Sequence, residues 1–421
     1  MSRFMFILGA VSGLLYAAAC DTSVDSPNDK QPLAPVASSL DNGGERFDYV
    51  FGPEHADRLK TKRFLLPPLK ADLHDDLRWK APQNYAITIP PVAQNTIRPM
   101  VEWEPMKSIV MQWPGGYLTS SKAASATMLK IAKNAATVAE VWIVTNPEAP
   151  DVIKAGLEGV GMTPQQIADK VRFIPTPIDS IWFIDSGPLP IIDTATNTYA
   201  FADFRYYHER SLDDGIPTIL GRALGDIGHS PAETYRMPID TEGGTFMATS
   251  DGICFTGTRQ LYYMSCAKGG CDPSTGGKPD WHQGGYTYVS MEDVNKHPLA
   301  DEVREVWKKY AGCKDVIITN SVTDDGTGHI DMYLKVLDDQ RVMLGEYEAP
   351  FQADTRQEEN AQLLNETADY IANYTKPDGT KFEVVRLVMP GHRNTNQGWM
   401  PFTYINSTFI NGLNLWPATE F

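Results

Sequence analysis

The chain has 421 residues and a formal net charge of −16, with a sequence pI near 4.9. No Lys/Arg-rich block interleaved with aromatics occurs, which excludes a nucleic-acid partner, because a phosphate backbone needs a basic footprint. The acidity suits solubility or a cationic substrate equally.

The first twenty residues carry a basic start at Arg3, an apolar run from Phe4 to Tyr16, and the small residues Ala17, Ala18 and Ala19 before Cys20. This is the pattern of a cleaved secretory signal, and it is too short for a settled transmembrane helix. A cysteine directly after small residues resembles a bacterial lipoprotein cleavage box, although Ala17 stands where leucine is more usual. The expectation is an exported cell-envelope lipoprotein, lipidated at Cys20 and tied to the membrane by that anchor. Residues 21–97 are rich in Pro, Asp, Ser and Asn and read as a tether and irregular arm, so the folded domain spans 98–421.

Within that domain, strand-like segments alternate with helix-like ones, which argues an α/β class. Strands are predicted over Ser108 to Gln112, Val141 to Thr145, Val171 to Ile174 and Val316 to Ile318, and helices over Lys122 to Val141, Leu299 to Ala311 and Gln357 to Tyr374. Cys254, Cys266, Cys271 and Cys313 are an even set in a compartment that permits disulfides, and Cys266 with Cys271 is the local pair. Their spacing lacks the repeated short intervals of a zinc site.

A hairpin pattern recurs four times, each preceded by a polar residue. Asp185 precedes Leu189 to Asp193 and a turn at Asn197. Glu242 precedes Thr245 to Ala248 and the turn Ser250-Asp251-Gly252. His329 precedes Asp331 to Val336 and the turn Asp338-Asp339, and Asn406 precedes Ser407 to Ile410 and the turn Asn411-Gly412. Such repeats bury their faces only against neighbours, which implies closed or stacked assembly.

Taken singly, each motif has an ordinary alternative. His329 and Asp331, two apart on a predicted strand, share a face and follow permissive glycines, but they also fit a strand end facing water. Glu242-Gly243-Gly244 also reads as a tight turn, and Trp182 as core packing rather than a substrate wall. Together, Asp185, Glu242, His329 with Asp331, and Asn406 would converge on one point. Several carboxylates and one histidine suit a planar guanidinium, which pairs with carboxylates through parallel hydrogen bonds. Metal hydrolysis through His329, Asp331 and His392 lacks a definable ligand shell at these spacings.

The segments Arg98 to Pro105, Ser180 to Pro188, Glu242-Gly243-Gly244, Gly328 to Asp331, and Tyr404-Ile405-Asn406 through Asn411-Gly412 occur in order. In that order they resemble the agmatine deiminase and Porphyromonas-type peptidylarginine deiminase family. The resemblance implies a pentein-like α/β propeller of five ββαβ blades, and an activity converting agmatine or peptidyl-arginine to a ureido product plus ammonia. A cysteine thiolate would attack the guanidinium carbon. By motif, Asp185 and Asp331 would hold the guanidinium, His329 would be the general acid/base, and Trp182, Glu242 and Asn406 would contact substrate. No cofactor and no metal are implied.

Two departures stand out. Ile184 occupies the position where the family has arginine, and no nucleophile motif is present: the family's cysteine sits in a fifth hairpin beyond the Asn-Gly turn, and this chain has four. The expectations are therefore a chain cut before its last blade, leaving a gap in the ring, or a non-catalytic guanidinium-binding lipoprotein.

Overall fold

The structure is a computed structural model, and it describes residues 96–114, 122–206, 210–261, 290–322, 327–348, 355–391, 393–395, 398–400 and 402–415. The signal segment with Cys20, nearly all of the tether, Cys266, Cys271 and His392 lie outside the described residues.

The first unit is a parallel sheet. Following β1 (Ile97–Pro99), β2 (Ser108–Trp113) leads through α1 (Lys122–Ala135) to β3 (Glu140–Thr145), and α2 (Pro150–Gly159) and α3 (Pro164–Lys170) lead to β4 (Val171–Pro175). Strand β3 pairs in parallel with β2 on one side and β4 on the other. A short helix α4 (Phe183–Ser186) then opens a different unit: β5 (Leu189–Asp193) turns back into β6 (Thr198–Arg205), and α5 (Ser211–Asp214) and α6 (Ile216–Asp226) lead to β7 (Glu233–Asp240). Here β5 is antiparallel to β6 and β7 parallel to it, with β1 added outside β5.

The same ββαβ pattern returns twice. Strands β8 (Phe246–Ala248) and β9 (Ile253–Gly257) form a hairpin, and α7 (Met291–Lys296) and α8 (Ala300–Ala311) lead to β10 (Asp315–Thr319), parallel to β9. Strands β11 (Leu334–Val336) and β12 (Arg341–Glu346) do likewise, with α9 (Thr355–Asn373) leading to β13 (Glu383–Val388), parallel to β12. Two more hairpins follow, β14 (Arg393–Thr395) with β15 (Gly398–Met400), and β16 (Thr408–Ile410) with β17 (Leu413–Leu415).

Local chemistry accounts for these elements. Helix α8 buries Val303, Val306, Trp307 and Tyr310, spaced three and four apart, which is one face of a 3.6-residue period. Its first turn holds Asp301 and Glu302 and its last Lys308 and Lys309, matching the helix dipole, and Gly312 ends it in the left-handed conformation at φ 75°. Strand β9 is buried along its whole length, as a strand between two neighbours with covered faces must be.

Helix α1 stops at Ala135, six residues short of the predicted Val141, because Glu140 already begins β3 and Val141 is a ladder residue paired with Ile109. The segments that carry the polar motifs also depart from prediction. Gly243–Thr245 and Ile330–Met332 are single 3-10 turns, so the second and third predicted hairpins start at Phe246 and Leu334 rather than at Thr245 and Asp331. The last hairpin starts at Thr408 rather than Ser407.

That hairpin returns to the first unit. Leu415 is buried in one core with Met111, Trp113, Ile143 and Leu157. Asn411 Oδ1 accepts from Met106 N at 2.8 Å, and its Nδ2 donates to Met106 O at 2.7 Å and Val138 O at 3.0 Å.

Candidate active site

Three connections between units deliver the polar residues to one place. Asp185 lies in α4, ahead of β5, and is buried. Glu242 precedes the 3-10 turn that opens the next hairpin, and His329 and Asp331 sit at the turn opening the one after. The close approach depends on the glycine pair. A Cβ on Gly243 would overlap the Ile184 carbonyl oxygen, and one on Gly244 would stand 2.7 Å from His329 Nδ1 and 3.0 Å from Asp185 Oδ1. Gly328, at φ 73°, turns the chain immediately before His329.

His329 Nε2 is 2.8 Å from Glu242 Oε2 and 3.6 Å from Asp185 Oδ1. Asp185 Oδ1 is buried and accepts no hydrogen bond, leaving a lone-pair site aimed at the imidazole. Burial pushes the Asp185 carboxyl up to about 7; the His329 charge opposes this, while the Glu242 and Asp331 carboxylates reinforce it. For His329 the burial works against the imidazolium, but the Asp185, Glu242 and Asp331 carboxylates outweigh it and hold the pKa well above the ordinary histidine value. The cluster thus keeps a proton on its imidazole near neutral pH, under a surplus of carboxylates. That is an acid poised to donate, beside a site for a second cation.

Asn406 is half-buried, with its Nδ2 4.0 Å from Met332 Sδ, one residue after Asp331. A buried cation holds this segment: Lys335 donates to Ser407 O at 2.6 Å and pairs with Glu102, which also accepts from Phe409 N at 3.1 Å. Trp182 is half-buried against the first unit's core, the packing role rather than a free wall. Ile184, directly before Asp185, is 48% exposed and contributes its carbonyl, not its side chain, to the contact with Gly243.

Two neighbours went unread in the sequence. Tyr206 is buried, and its hydroxyl accepts from Arg210 Nη1 at 2.8 Å. Burial, then the Asp185 and Glu242 carboxylates, push the Tyr206 phenol far above its ordinary value, so it stays a neutral hydroxyl beside the cluster. Arg210 in turn lowers the Asp185 carboxyl slightly from its raised position. Tyr206 follows β6 and Arg210 precedes α5, outside every hairpin start, so no repeat signal marks them.

Asp185, Glu242 and His329 could each turn one ligand atom to a metal ion, all within 4.8 Å of one another. This set differs from the His329, Asp331 and His392 set weighed from sequence. A divalent ion there would have to displace the proton on His329. The two described cysteines, Cys254 on β9 and Cys313 after α8, are joined in a disulfide, which is compatible with the expected local pair Cys266–Cys271 outside the described residues. Both are buried in the core of the second and third units, so neither presents a thiolate.

Comparison with known proteins points the same way. The profile of Porphyromonas-type peptidyl-arginine deiminase matches residues 98–265 and 287–419. The agmatine deiminase of Medicago truncatula is 21% identical over 306 residues, covering 69% of this chain and 70% of the relative. Among solved structures, the agmatine deiminase of Enterococcus faecalis superposes with a TM-score of 0.56 at 16% identity, over 77% of this chain and 85% of that one. A C. jejuni agmatine deiminase with substrate bound gives 0.54 at 15% identity, over 76% and 83%. The mixed α/β fold is shared with these agmatine deiminases. The chain belongs to the Porphyromonas-type peptidyl-arginine deiminase family, whose members act as hydrolases on the C–N bonds of guanidino groups.

Proposed function

We propose that this chain grips the guanidinium group of an agmatine-like amine or a peptidyl-arginine between Asp185 and Asp331, as a guanidine deiminase. Glu242 holds His329, and Asn406 bounds the pocket. The observation that carries the reading is the convergence of two carboxylates and an imidazole from three successive units on a buried point where Asp185 Oδ1 has no hydrogen bond. A guanidinium offers planar N–H donors to such a set, and its charge offsets the carboxylate surplus. In the deimination, the guanidinium C–N bond breaks, a water oxygen ends as the ureido carbonyl, and nitrogen leaves as ammonia. His329, held protonated, supplies a proton to the departing nitrogen.

The buried Cys254–Cys313 disulfide favours a second reading, guanidinium binding without turnover, since neither cysteine can act as a nucleophile. Incubating the chain with agmatine and with arginine peptides, while measuring ammonia and ureido product, separates the two. Product formation supports the deiminase, and saturable binding without product supports the binder. Absence of both defeats the guanidinium reading.

The three ββαβ units and the return of the last hairpin to the first sheet support a pentein-like propeller. The disulfide also supports an exported location, in keeping with a lipid on Cys20. Cys20→Ala is expected to move the protein from the membrane fraction to the soluble one; unchanged fractionation would refute the anchor.

A further inference from the structure

A second buried carboxyl, Asp213 in α5, lies outside the pocket but holds the segment that forms it. Asp213 Oδ1 accepts from Asp179 N at 2.8 Å and Gln112 Nε2 at 2.5 Å, and Oδ2 accepts from the Ser180 hydroxyl at 2.6 Å. Gln112 completes a circuit: its Oε1 accepts from the Ser186 hydroxyl at 2.9 Å. Asp179 Oδ2 accepts from Leu212 N at 2.9 Å, so the 179–186 segment and α5 are stapled in both directions. The adjacent Asp214 faces elsewhere, taking Arg236 and the Tyr206 N–H.

We infer that Asp213 is a positioning residue which, through Gln112, Ser180 and Ser186, fixes α4 and thereby sets the Asp185–His329 separation. The clamp grips the chain at Asp179, Ser180 and Ser186, on both sides of Asp185, whose own Oδ1 makes no hydrogen bond that could orient it. With three good donors converging on it, Asp213 needs to be an acceptor on both oxygens, which an amide cannot be. Burial raises its carboxyl to about 6, with the Ser180 and Asp179 hydrogen bonds opposing and the Asp179 charge reinforcing, so it is largely ionised at neutral pH.

This role bears on the proposed guanidinium site, yet its test need not involve a ligand. His329 is faced by Asp185, Glu242 and Asp331, and Asp185 is the one the clamp carries. The imidazole of His329 should be titrated by NMR in the full chain, in Asp213→Asn and in Ser186→Ala, with near-ultraviolet circular dichroism confirming the fold. The His329 midpoint is expected to fall by about one pH unit in Asp213→Asn, the low end of what an opposite charge at this range produces. A smaller fall in the same direction is expected in Ser186→Ala, which deletes one bond of the circuit and decides the matter if Asp213→Asn does not fold. An unchanged His329 midpoint in the folded variants overturns the inference. Agmatine affinity measured alongside distinguishes the two ideas: no binding by the unaltered chain counts against the guanidinium reading, while the titration still judges the clamp.

Discussion

A methyl group on Gly244 would press on His329 Nδ1 and Asp185 Oδ1 together, so Gly244→Ala must separate the two groups that the site brings close. A loss of about 1–3 kcal/mol of stability is expected from such overpacking, read by urea unfolding, with guanidinium affinity reduced at least about tenfold. Gly243→Ala meets backbone rather than a side chain and should be the more damaging of the two. The charges make a separate prediction. Asp185 has a folded-state pKa raised to about 7 and His329 one raised above its ordinary value, so both bind protons more tightly in the folded protein. Their contribution to stability is present at low pH and is lost as pH rises, for Asp185 from its unfolded value through about 7 and for His329 from its unfolded value through its raised folded one. Asp185→Asn should therefore flatten the fall in unfolding free energy between about pH 4 and pH 8, and an equally steep fall in the variant would contradict this. Agmatine affinity should rise over the upper part of that range, as Asp185 ionises. Asp185, Glu242 and His329 were legible in the sequence because each precedes a recognisable hairpin, and Asp331 because it opens the predicted strand after His329. Tyr206 and Arg210 were not, since tertiary folding alone brings them to the cluster.

At the scale of elements, the turns were the most legible features. Asn411 at φ 47° and Gly412 at φ 82° form the two-residue loop that an Asn-Gly pair between short apolar strands announces. Nothing lies near a Cβ at Gly412, so Gly412→Ala should cost only the conformational penalty, about 1 kcal/mol. Asn411→Ala should cost more, about 1–3 kcal/mol, because three hydrogen bonds to Met106 and Val138 go with it. Equal effects in denaturant unfolding would show that the tether to the first unit contributes nothing. The strand starts were less legible. Period-two alternation suggested that His329 and Asp331 share a strand face, but the chain coils through Ile330–Met332 in a 3-10 turn and becomes a strand only at Leu334. Sequence pattern resolves which residues neighbour a hairpin more readily than it resolves one turn of tight backbone from the first pleat of a strand.

For the whole molecule, the repetition of hairpin, helix and parallel strand could be read from spacing, whereas the contacts between units could not. The Cys254–Cys313 disulfide joins β9 to the end of α8 across 59 residues, and no short-range pattern announces it. Closing a loop of that length stabilises by roughly 2–4 kcal/mol, so the Cys254→Ala, Cys313→Ala protein should unfold at correspondingly lower denaturant yet keep its guanidinium affinity. A loss of affinity in the folded double variant would place one of these cysteines in the site after all. The return of β16–β17 to the first unit, through Leu415 and Asn411, was likewise invisible in the linear pattern, because the groups that meet are about three hundred residues apart. We propose that separate units pool their polar residues into one guanidinium pocket. Isothermal titration of agmatine into the 421-residue chain, and into Asp185→Asn and Glu242→Gln proteins of intact fold, tests it most directly. Saturable binding weakened at least about tenfold by each substitution is the predicted result, the scale of a lost charge-assisted pairing; no binding, or binding indifferent to both, would contradict it.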